Sequence, residues 1–146
     1  MPPDQPDSWK VYVICTGREE RLSTTRADVD ACESEADRIA MRTSFTTLLA
    51  RAVTGRPLED MWDKKKCHEA HTFTHSHATH RIFRIWGTGK IRVYFMYLDA
   101  KRIVLIKSKA KRVDKLSTGE LKELEDIAKD VLNLLKETKF ESRVIP

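Results

Sequence analysis

Between Phe83 and Ile106 apolar residues alternate with polar or charged ones, and the run is cut by two turn signals, Gly87-Thr88-Gly89 and Asp99-Ala100. Alternation at period two is a strand signature, and turns this close together admit only antiparallel hairpins. A three-residue loop at Gly87-Thr88-Gly89 pairs Trp86 with Lys90 and sets Arg84 opposite Arg92. A turn at Asp99-Ala100 pairs Leu98 with Lys101, Phe95 with Val104, Val93 with Ile106 and Arg92 with Lys107. Sorting by parity gathers Phe83, Ile85, Ile91, Val93, Phe95, Tyr97, Val104 and Ile106 on one face, the predicted core side. The opposite face carries Arg84, Trp86, Lys90, Arg92, Tyr94, Lys107 and Lys109.

That face is also where the charge sits. Residues 81–116 hold eleven Lys or Arg against two acids, a local charge of +9 in a chain of net +5, so the other 110 residues sum to −4. Like charges facing each other across a sheet destabilise it, and a bound polyanion removes that cost. A solvated lysine face that discourages edge pairing is the plainer alternative. It accounts for lysines better than for arginine opposite arginine on central strands, because guanidinium is the group suited to bidentate phosphate contact. Nucleic acid is the partner this pattern predicts.

The 146 residues suit one domain, 1–146, of α+β class: an N-terminal strand and a three-stranded meander forming a small, mostly antiparallel sheet, packed by an N-terminal helix or helix pair and a C-terminal helix. Residues 1–8, with three prolines, predict a disordered lead-in. A β-branched run predicts a strand over 10–15, and helical spacing covers 28–55 as one helix or two joined near Thr43-Ser44. The meander spans 80–109. Ser117-Thr118-Gly119-Glu120 has the form of a capping box and opens a predicted helix over 118–136, whose stripe of Leu121, Leu124, Ile127, Ala128, Val131, Leu132 and Leu135 faces the sheet. The tail from Phe140 is either an edge strand or frayed. No apolar run is long enough for a membrane span and the N-terminus lacks a signal-peptide pattern, so the expected location is cytoplasmic, with no membrane partner.

His68, His71, His75, His77 and His80 lie within thirteen residues, beside Cys67, in a stretch predicted as loop or irregular strand. Three readings stand: a polar loop touching RNA, a catalytic histidine from His68 or His71, or a zinc site, whose spacing matches no familiar template. Cys15, Cys32 and Cys67, odd in number and without a CxxC, suggest reduced thiols. Lys64-Lys65-Lys66 is either a solvated run or a helper on an RNA backbone. Trp86 and Tyr94 either stack on a base or cover the sheet.

The stretch FRIWGTGKIRVYFMYLDAKRIVLIKSKAKR, followed by KRVDKLSTGELKEL, resembles the RelE/HigB-like toxins of bacterial type II toxin–antitoxin systems. There, an Arg-bearing meander precedes a Lys-rich turn and a helix that opens with an acidic residue. The likeness runs from Arg81 to about Leu132, a third of the chain. It implies a ribosome-dependent mRNA endoribonuclease (an mRNA interferase) that needs no metal or cofactor, inhibits translation and is silenced by a cognate antitoxin. By position, Arg92 and Arg84 match the family's strand arginines. Lys107, Lys109, Lys111 and Arg112 match its basic residues near the fourth strand. The chain departs from the family in its longer front half, in lacking a Tyr or His just after the last meander strand, and in its histidines.

Cleavage of this kind needs a base for the 2′-OH, an acid for the leaving 5′-oxygen and cations for the charge on phosphorus. The predicted catalytic set is Arg92, Arg84, Lys107, Lys109, His68 and His71. The predicted RNA-binding set is Lys64, Lys65, Lys66, Lys90, Trp86, Tyr94, Lys111 and Arg112. Two alternatives stand beside it: a ParE-like inhibitor of gyrase, and a non-catalytic RNA- or DNA-binding domain.

Overall fold

A computed structural model describes residues 8–14, 23–62, 66–87, 89–99, 101–111, 115–136 and 143–144. The elements are β1 (Lys10–Val13), α1 (Thr24–Asp30), α2 (Glu35–Ala52), a 3-10 turn (Leu58–Asp60), β2 (Cys67–His75), β3 (Ala78–Trp86), β4 (Ile91–Leu98), β5 (Arg102–Ala110), α3 (Thr118–Lys136) and β6 (Arg143–Val144). The strands form one sheet in the order β2-β3-β4-β5-β1-β6, with β1 parallel to β5 and the remaining pairs antiparallel. The class is α+β, as the sequence predicts. No helix among the described residues is long and apolar enough to cross a membrane.

The predicted helical region is two helices, but the break falls at residues 31–34 rather than at Thr43-Ser44. Ser34 stops one helix from running on because its hydroxyl accepts from the Asp37 N–H at 3.1 Å and starts α2, with Glu35 and Asp37 in the first turn. At the other end of the chain the capping box forms as predicted. The Ser117 hydroxyl accepts from the Glu120 N–H at 3.1 Å, and a Glu120 carboxylate oxygen accepts from the Ser117 N–H at 3.1 Å.

Three corrections concern the meander. The histidine-rich stretch is the irregular strand of its two readings, β2, with a shift in register between Glu69 and His71, so the meander has four strands and not three; it turns at Ser76 and His77, both at positive φ, a two-residue hairpin. The first predicted loop is longer, pairing Trp86 with Arg92 and Arg84 with Tyr94, so Arg84 is not directly opposite Arg92. The β4–β5 turn takes in Lys101 at φ 57, which pairs Leu98 with Arg102 and moves the register by one residue. Val104 and Ile106 therefore leave the face shared by Val93 and Phe95. A bulge opposite Tyr94 and Phe95 then restores parity and returns Lys107 to the face of Arg84 and Arg92.

The sheet is covered on both sides, not on one. Met41, Phe45, Leu48 and Ala52 of α2 pack over Ile85, Val93, Phe95, Ile103 and Leu105. Leu124, Ala128 and Val131 of α3 pack over Ile82, Tyr94, Met96, Val104 and Ile106. Every β4 residue from Ile91 to Met96 is buried, as a strand between two helical layers requires. The basic face is thus the floor beneath α3 and not an open surface.

Candidate nucleic-acid interface

Strands β2, β3 and β4 bring His68, Arg84, Arg92, Trp86 and Tyr94 together on the α3 side of the sheet. His68 pairs with Arg84 across β2 and β3, and its Nε2 lies 2.8 Å from an Arg84 guanidinium nitrogen. Its Nδ1 lies 2.9 Å from the Glu69 carbonyl. A carbonyl only accepts, so the proton is on Nδ1 and Nε2 presents a lone pair to the guanidinium. The Arg92 guanidinium stacks 4.1 Å from the Trp86 ring centroid, and the Trp86 indole N–H donates to the Gly89 carbonyl at 2.6 Å.

Both arginines are 2% exposed. Burial pulls both down from their ordinary pKa, and for Arg92 the charge of Arg84 adds to the effect. Tyr94 is fully buried and its hydroxyl has no hydrogen-bond partner among the described residues. Burial, with the Glu120 charge next, pushes it up to about 12. It stays a phenol at any physiological pH.

Lys107 and Lys109 of β5, and Lys111 just after it, are held by carboxylates of α1 and α3. Lys107 Nζ lies 3.0 Å from Asp28 and 3.7 Å from Glu123; Lys109 lies 3.5 Å from Glu120 and 3.6 Å from Glu123; Lys111 lies 2.9 Å from Glu120. Asp28, on α1, also accepts from the Ser108 N–H at 2.9 Å. Its own carboxyl is raised, burial outweighing Lys107 and Ser108. Burial lowers Lys107, but the hydrogen bond and charge of Asp28, helped by Glu123, win and its net direction is upward. The difference follows exposure, since the Lys107 side chain is 31% exposed and the Asp28 side chain 4%. Hydrogen bonds from Lys111 and the Ser117 N–H hold the Glu120 carboxyl down at about 2. The capping box marks Glu120 in the sequence, whereas no local signal pairs it with Lys109 and Lys111.

The other predicted residues separate. Lys90 leaves the basic face and pairs with Asp37 of α2 at 3.3 Å. His71 lies 3.3 Å from Glu125, and His75 Nε2 lies 2.9 Å from Asn133 Oδ1, so both tie β2 to α3, away from Arg84. His80 stacks on Phe73. His77 is exposed in the turn. Alternation along the hairpin scatters the histidines, and among the described residues no three His, Cys, Asp or Glu side chains gather where they could hold a metal ion. Cys32 and Cys67 are free and buried, and burial pushes the Cys67 thiol up to about 12. Lys66 is exposed. Lys64, Lys65, Arg112 and Cys15 lie outside the described residues.

Comparison of the chain with protein-family models, with curated proteins and with solved structures finds no match, so the class of the protein is argued from this geometry.

Proposed function

We propose that this chain is an RNA-cleaving toxin of the RelE/HigB type, a metal-independent endoribonuclease that cuts mRNA at the ribosome. One observation carries the reading: the imidazole Nε2 of exposed His68 is hydrogen-bonded to Arg84 at 2.8 Å, beside a second guanidinium, Arg92. Base and phosphate cations therefore share one corner of the sheet.

In this mechanism the 2′-OH attacks the adjacent phosphorus and gives its proton to His68 Nε2, which Arg84 releases as it turns to a phosphate oxygen. Arg92 joins it once the Trp86 ring swings off. The bond to the 5′-oxygen breaks, and Lys109 supplies the proton to the leaving group. The products are a 2′,3′-cyclic phosphate and a 5′-hydroxyl. Both guanidiniums are covered in the free protein, which fits an enzyme whose site opens on the ribosome. The expected restraint is an antitoxin that offers carboxylates to the same lysines that Glu120 and Glu123 now hold.

The burial of Arg84 and Arg92 and the carboxylate partners of Lys107, Lys109 and Lys111 count against cleavage at this corner, and the second reading is RNA binding without cleavage through cations elsewhere, such as exposed Lys66. One experiment separates the two. Wild-type, His68→Ala and Arg92→Ala proteins are added to a reconstituted translation reaction and to the same mRNA without ribosomes, and 5′ ends are mapped by primer extension. Cleavage predicts new ends that need ribosomes and vanish in both variants. His68 is exposed, so its variant should fold even if the Arg92 variant does not. Intact mRNA in every tube, with folded wild-type protein by circular dichroism, sinks the nuclease reading and leaves binding.

A further inference from the structure

Beside Trp86, a cleft of about 400 Å³ opens between α2 and the start of the β2–β3 pair. Two tryptophans, Trp62 and Trp86, line it together with Arg51, Lys66 and the hydroxyl-bearing Thr47. The described lining residues include two cations and no carboxylate. This is the reverse of the Lys107 region, where each lysine has an acid beside it.

Arg51 is held in place. Its guanidinium lies 3.9 Å from the Trp62 ring centroid, and one of its nitrogens donates to the Met61 carbonyl at 2.9 Å. A guanidinium has five N–H donors, so this anchor leaves others for a ligand. Trp86 is 37% exposed, and Lys66 is exposed at the rim. The cleft volume is within the range of small-ligand sites.

Indole faces suit a flat heterocycle, and a held guanidinium with a lysine at the rim suits a phosphate. We infer that the cleft is a nucleotide site, in which a base lies against Trp62 and Trp86 and its phosphate is held by Arg51 and Lys66. Such a unit has two sources, a single-stranded RNA or a free mononucleotide. The inference rests on the RNA reading only for the first source, and a binding assay keeps it separate from cleavage.

The full chain is titrated against end-labelled oligoadenylate by fluorescence anisotropy, with AMP and inorganic polyphosphate as competitors. Trp62→Leu should weaken binding about tenfold or more, the usual effect of losing one stacking platform. Lys66→Glu changes an exposed side chain and should weaken binding several-fold without disturbing the fold. Arg81→Ala removes an exposed cation elsewhere on β3 and should leave affinity unchanged. Competition by AMP at concentrations comparable to the oligonucleotide's base concentration assigns the cleft to free nucleotides. Competition only by longer strands assigns it to RNA. Equal losses from Arg81→Ala and Lys66→Glu, or polyphosphate competing as well as oligoadenylate, would show charge without base recognition and overturn the inference. So would unchanged affinity in both Trp62→Leu and Lys66→Glu.

Discussion

A methyl group added at Gly87 should destabilise the protein, and deleting the side chain of Ser44 should reverse much of that loss. A Cβ at Gly87 would stand 2.1 Å from the Ser44 hydroxyl oxygen and 2.8 Å from the Ser44 Cβ. The hydroxyl can rotate away, but the Cβ is fixed by the α2 backbone, so either the helix or the β3–β4 loop must shift. Overpacking of this kind costs about 1–3 kcal/mol. Gly87 is not among the positive-φ glycines, so the alanine meets a steric problem alone. Ser44→Gly by itself should cost about 0.5 kcal/mol in helix propensity. If the contact is as described, Gly87→Ala with Ser44→Gly is more stable than the two single effects predict, by about 1–2 kcal/mol. Urea unfolding of all four proteins measures the cycle. Additivity to within about 0.3 kcal/mol would refute the close approach of the loop to α2.

Three further outcomes follow from the site. Glu120, at about 2 in the folded chain against 4.5 ordinarily, contributes stability that is full above pH 4.5 and lost as pH falls toward 2. The shift corresponds to at most about 3 kcal/mol, and solvent screening reduces it to about 1–2. Glu120→Gln should therefore flatten the stability curve in that window, and an unchanged acid limb would disprove the carboxylate's role. Cys67, with its thiol pushed up to about 12, should resist a thiol reagent at pH 8 until the protein unfolds. Peptide mapping that finds it labelled as fast as an unfolded control would contradict its burial. Tyr94→Phe removes a buried hydroxyl with no hydrogen-bond partner among the described residues, so it should leave stability unchanged or raise it by up to about 1 kcal/mol. A loss above about 1.5 kcal/mol would mean that the hydroxyl is satisfied after all.

What could be read from the chain was the chemistry of local signals. Ser117 and Glu120 cap α3 because their spacing lets each side chain reach the other's backbone N–H, a contact independent of the rest of the fold. The sequence leaves β2 open between loop and irregular strand because only Cys67 and Phe73 of its nine residues are buried, which gives no apolar alternation to decide between them. The β4–β5 register slipped by one because Lys101 adopts a left-handed conformation that glycine or asparagine usually signals. The second covered face did have a signal, the unbroken run Val93-Tyr94-Phe95-Met96, which alternation analysis splits between core and solvent. Arg51 and Trp62 had none: their stacking depends on how the segment after the 3-10 turn folds back on α2.

Charge shows the same dependence on tertiary structure. The excess of +9 in residues 81–116 suggests a strong polyanion surface, but much of it is turned inward or matched by acids from the remainder of the chain. Asp28 comes from α1 and Glu123 from α3, and both meet Lys107; Glu120 meets Lys109 and Lys111. Lys90 meets Asp37. What stays available at the proposed nucleotide cleft is Arg51 and Lys66. Counterion release scales with the phosphates neutralised, at about −0.7 per contact for single strands. If the free protein binds RNA through that cleft, log affinity against log salt should fall with a slope near −1.4, that is, about two contacts. If the basic segment were open as its composition suggests, nine contacts would give a slope near −6. Anisotropy titrations of oligoadenylate over a range of salt concentrations measure this directly. A slope as steep as −6 would mean that the carboxylates of α1 and α3 give way to RNA and that the β5 lysines, not the cleft, carry the binding.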